Sequence, residues 1–196
     1  MTEDESGIDN PYTPEKKQNR KEWFFEQVED EHGDRVLLPD GGNETQHLYE
    51  DLMGCFINGQ FVACVILSAS IIEHLLVLEL GFTDFSYPEK EPTLGRAIGD
   101  AEDAGIVTED TSDLYWLNNT RNGYVHFRDG RTGDSPTMEQ MQEMDLGEFN
   151  PNRIGEDDAR RAIKIAIRQQ ARHWEDFHKA MDEELDMNEL YEQRRG

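Results

Sequence analysis

The chain has 196 residues, which suits one domain with tails. It carries 43 Asp and Glu against 19 Lys and Arg, a formal net charge of −24, and this excludes a broadly basic nucleic-acid or membrane-surface binder. Hydrophobic residues make up 36%, enough for a core, and the two cysteines, Cys55 and Cys64, offer neither a disulfide framework nor CxxC spacing for zinc.

Acidic residues run through the whole chain, and only six of the 19 cations are lysine, so arginine dominates. That composition resembles halophilic proteins, whose solvent is molar salt. There the Debye length is about 3 Å and self-repulsion is nearly gone. The first ten residues are acidic and lack the basic start and apolar stretch of an export signal. The longest apolar run, 61–72, is too short to span a bilayer. A cytoplasmic location without a membrane partner is expected.

Residues 1–13 are polar. Residues 14–30 read as a helix with Pro14 in its first turn and an apolar edge of Trp23, Phe24 and Val28. A linker with one short strand at 36–38 follows, so 1–43 forms a lead, a helix and a linker. From residue 44, Leu48, Leu52, Cys55 and Phe56 fall at helical spacing up to the Asn58-Gly59 break. The next helix, 60–80, is apolar nearly all round in its first half, the mark of a central helix, and Gly81 is its expected terminator. His74 within it is expected to be buried and hydrogen-bonded. A helix at 93–104 takes Thr93 as N-cap and turns Leu94, Ala97, Ile98 and Ala101 inward.

Another helix runs from 110 or 111 to 127, with Leu114, Leu117, Arg121 and Tyr124 along one line. A polar loop with a short helix at 136–144 leads to the last helix, 156–185, whose inner face holds Ala159, Ile163, Ala166, Trp174, Phe177 and Met181. Residues 186–196 form a tail. The class is all-α, a bundle of about five helices over 44–185.

Glycine loops for phosphate and nucleophile elbows are missing from the sequence. His173 and His178 lie five residues apart, about 140° around a helix, so they do not converge on a metal. No cofactor is expected.

Residues 114–127 stand apart. They contain Arg121, then the polar Asn122, and His126 after a gap of four, at the end of a helix before a loop. This resembles the R-x4-6-H motif of the HEPN superfamily. Upstream, the Asn58-Gly59-Gln60 turn, the apolar helix and its Ile72-Glu73 are similar to the long core helix of a HEPN subgroup. The resemblance spans roughly 44–181. It implies a helical bundle that forms a homodimer and cuts RNA without a metal, with Arg and His of both protomers lining a cleft at the two-fold axis. It also implies a toxin or antiviral-defence role, with an antitoxin or defence-system partner. Some members have lost activity and serve as binding or scaffold modules. Others carry a tyrosine two residues after the histidine that an antitoxin modifies with AMP; here that position is Arg128, which argues against that control.

The residue types suit the chemistry. An imidazole near pKa 6.5 can take the proton of the RNA 2′-hydroxyl or protonate the leaving oxygen, so His126 is the candidate base or acid. A guanidinium fork matches two phosphate oxygens, so Arg121 is the candidate clamp. Asn122, about 40° from His126, is placed to orient the ring. Arg121 and His126 are about 140° apart on an ideal helix, so they converge only if the helix loosens or a dimer completes the site. Glu73 either supports Arg121 or pairs with it structurally. Arg161, Lys164, Arg168 and Arg172 draw a basic stripe on the last helix. The stripe is either salt-bridged to acidic neighbours or a phosphate track. Tyr124 and Arg128 flank the motif as further RNA contacts.

Overall fold

A computed structural model describes residues 12–33, 42–83, 87, 92–107, 111–125 and 151–182, with side chains left out at 42, 43, 151–154 and 176–182. The described residues form six helices and no strand: α1 (Pro14–His32), α2 (Gly42–Ile57), α3 (Phe61–Thr83), α4 (Leu94–Asp103), α5 (Thr111–Val125) and α6 (Pro151–Asp182). The expected strand at 36–38, the short helix at 136–144 and the tail at 186–196 lie outside the described residues.

Local signals place most boundaries. Thr13 caps α1 by accepting the Lys16 amide at 3.3 Å, and Pro14 occupies the first turn. The α2–α3 hairpin closes at Gly59, whose φ of 72° is left-handed and costs glycine nothing. Thr93 caps α4 by position alone, with no side-chain hydrogen bond. Gly81 does not end α3. Its φ is not positive, the helix continues to Thr83, and the Thr83 hydroxyl donates to the Leu80 carbonyl at 2.9 Å.

The all-round apolar character of α3 has the expected cause. It packs against α2, α4, α5 and α6. At 23 residues it is long and apolar enough to cross a membrane, by length and composition, where the run read from sequence is too short. Half of its most apolar window is buried in the bundle. The core also takes Leu52 and Phe56 from α2, Leu94 and Ile98 from α4, Leu114 and Leu117 from α5, and Ile163 and Ile167 from α6. Phe24 brings α1 into the same core.

Long-range contacts fix helix directions. Arg20 meets Glu156 and Glu31 meets Arg168, so α1 runs parallel to α6. A Cβ at Gly155 would stand 3.4 Å from Phe61, and His173 meets Glu79, so α3 is parallel to α6 as well. Tyr124 meets Asp158 while Asp113 meets Arg161 and Arg168, so α5 runs antiparallel to α6. The starts of α3 and α6 and the end of α5 therefore share one end of the bundle.

Candidate functional site

At that end lies the last part of α5. Leu114, Leu117 and Thr120 face the core, which leaves Arg121, Asn122 and Tyr124 half-buried near the helix end. Arg121 Nη1 donates to Asn122 Oδ1 at 3.1 Å. Asn122 Nδ2 in turn donates to Asn118 Oδ1, one turn earlier, at 3.5 Å. Asn122 thus holds the arginine through its carbonyl oxygen. His126 follows Val125 directly, but it and Arg128 lie outside the described residues.

Among the described residues no ion pair joins Arg121 to Glu73. Glu73 is half-buried and lies near Tyr87. His74, next to it, is exposed rather than buried, because it points off the face that α3 shares with its neighbours.

Tyr124 is tied down. Its ring packs on the core, and its hydroxyl donates to Asp158 Oδ2 at 2.7 Å. Burial, followed by the Asp158 carboxylate, pushes the phenol well above its ordinary pKa. A ring held in this way fixes the end of α5 to α6. Tyr115 donates to Glu102 at 2.6 Å.

Acidic partners cover part of the basic stripe. Arg161 Nη2 lies 2.8 Å from Asp113 Oδ1, and its guanidinium stacks 4.1 Å from the Trp116 ring centre. Arg168 reaches the same Asp113 at 3.5 Å and Glu31 at 3.7 Å. Lys164 is exposed, 5.8 Å from the Trp23 ring centre, and Arg172 is half-buried. For Arg161 and Arg168 the salt-bridged reading describes the structure.

Two polar clusters were not legible in the sequence pattern. Arg20, 2% exposed, pairs with Glu156 at 3.1 Å, and Arg160 pairs with the same carboxyl group at 2.8 Å while stacking over Trp23. Burial pushes the Glu156 carboxyl up, but hydrogen bonds from the two arginines outweigh it and hold it below its ordinary range. His173 is buried against Glu79. The available signal was position. Arg20 lies four residues before Phe24, and His173 lies seven after Ala166, so both fall on inward faces. Among the described residues no group of three His, Cys, Asp or Glu side chains converges to hold a metal.

No family model matches this chain, and no curated protein or solved structure matches it.

Proposed function

We propose that this chain is a HEPN-type endoribonuclease that cuts single-stranded RNA by 2′-hydroxyl attack, without a metal, in a toxin or defence role. The observation that carries this reading is the setting of Arg121. In a protein with 43 acidic side chains, arginines are drawn to carboxylates, as Arg20, Arg96, Arg160, Arg161 and Arg168 are. Arg121 is held by a neutral amide instead, with no carboxylate partner among the described residues. Among the described residues no carboxylate cancels its charge, and none takes its other N–H donors, which suit phosphate oxygens.

In the proposed reaction an imidazole removes the 2′-hydroxyl proton, O2′ bonds to phosphorus, and the P–O5′ bond breaks. A proton then goes to O5′. Arg121 stabilises the extra negative charge on the phosphorane, and His126 is the base or acid. A homodimer would bring the two residue types together. Val62 and Val125, 44% and 45% exposed, sit at the same bundle end as Arg121 and offer apolar surface to a second copy.

The test is cleavage of mixed single-stranded RNA in molar KCl with EDTA. Cutting should persist with chelator, leave 2′,3′-cyclic phosphate ends, and vanish in folded Arg121→Ala and His126→Ala. A folded wild type that leaves RNA intact, or cuts no better than His126→Ala, would replace the enzyme with a non-catalytic binding module.

A further inference from the structure

A phosphate clamp works only if its guanidinium plane is fixed before the substrate arrives. Arg121 and Asn122 are neighbours on a helix and leave it about 100° apart, so their side chains diverge unless something draws them together. Here they meet at 3.1 Å. Asn122 is itself held from behind by Asn118, one turn earlier on the side of α5 that faces α4.

Asn118 lies against Gly95 of α4. A Cβ at Gly95 would come within 3.2 Å of Asn118 Nδ2, tighter than nine in ten real Cβ contacts, so the amide would have to give by a few tenths of an ångström. Gly95 has no positive φ, so the backbone does not require glycine there. Gly95 is the second residue of α4, after the cap position held by Thr93, and glycine there forgoes the higher helix propensity of alanine. Asn118, also a poor helix former, stands opposite it, and Asn122 lies one turn further along α5. Helix stability explains none of these three choices, but the space needed by one amide chain explains all three.

We propose that Gly95 and Asn118 are positioning residues, which set the plane of the Arg121 guanidinium through Asn122. Gly95 leaves room for the Asn118 amide, Asn118 orients Asn122, and Asn122 turns Arg121 towards the end of the bundle. The inference rests on Arg121 being the clamp, but the tether can be tested separately from cleavage.

One measurement needs no activity. In protein labelled with 15N-arginine, the Nε–Hε resonance of Arg121 is the one missing from Arg121→Lys. Asn118→Ala and Gly95→Ala should each shift it and speed its hydrogen exchange, while most other arginine resonances stay in place. Gly99→Ala is the control, since a Cβ there meets nothing within 4 Å. An unmoved Arg121 resonance in Asn118→Ala would overturn the tether.

The second measurement is cleavage. Asn118→Ala should lower kcat by about tenfold with little change in KM, as expected for a misplaced transition-state contact. In an Asn122→Ala background, Asn118→Ala should add nothing further. Additive losses, or equal losses in Gly99→Ala, would mean a merely structural role. If the folded wild type does not cut, the catalytic reading falls, and the resonance measurement still decides the tether.

Discussion

His173 Nδ1 lies 2.7 Å from Glu79 Oε1, joining α6 to α3 at the end of the bundle opposite Arg121. Their side chains are 5% and 15% exposed, so each depends on the other for its polar partner. Removing one leaves the other buried and unpaired. His173→Ala is expected to cost roughly 3 kcal/mol. Replacing both with leucine should recover most of that loss, and Glu79→Gln should cost less, because an amide can still bond the imidazole. Urea unfolding at fixed KCl measures all three; a His173→Ala loss below about 1 kcal/mol would show that the pair is not buried together.

Glu156 makes the protein sensitive to acid. The two arginines hold its folded pKa below the ordinary value of 4.5. Its contribution is therefore complete at neutral pH and is lost as pH falls from about 4.5 through the lower folded value. Glu156→Gln should cost about 2 kcal/mol at pH 7 and flatten that part of the acid limb. Unfolding free energies from pH 7 to 3, wild type against variant, would expose parallel curves if the pairing is unimportant.

Two glycines should respond to alanine with opposite signs. Gly54 lies inside α2 with nothing within 4 Å of an added Cβ, so Gly54→Ala should stabilise by up to about 1 kcal/mol. Gly59 has φ +72°, and a Cβ there would crowd Arg20 at 3.2 Å. Gly59→Ala should destabilise by at least about 1 kcal/mol. Thermal melts of the two variants side by side would settle the signs.

Stability should rise with salt. Carboxylates dispersed over a chain of net charge −24 repel across a Debye length of about 10 Å at 0.1 M and far less at 1 M. The salt-bridged arginines oppose the trend, but surface pairs contribute little each. Melting midpoints across a KCl series should climb, and a flat or falling series contradicts the halophilic reading.

The all-helical class and most helix positions belong to the sequence, although the last helix starts at Pro151, five residues before the expected 156. A 3.6-residue period records which face of each segment leaves water, the turn at Asn58-Gly59 marks where one helix stops, and the cap at Thr93 marks where another starts. Hence Leu94, Ala97, Ile98 and Ala101 are buried as their spacing predicts, and α3 is central as its all-round apolar character predicts. The same period shows that Arg121, Asn122 and Tyr124 gather near one helix end. Polar pairing followed no such rule. Glu79 meets His173 across 94 residues of chain and Arg20 meets Glu156 across 136. Such partners are chosen by the register between helices, which depends on how apolar surfaces interlock and not on the period of any one segment. That register gave Tyr124 to Asp158 and set Asp113 beside Arg161 and Arg168. Arg121, by contrast, takes its amide partner from the next residue of its own helix.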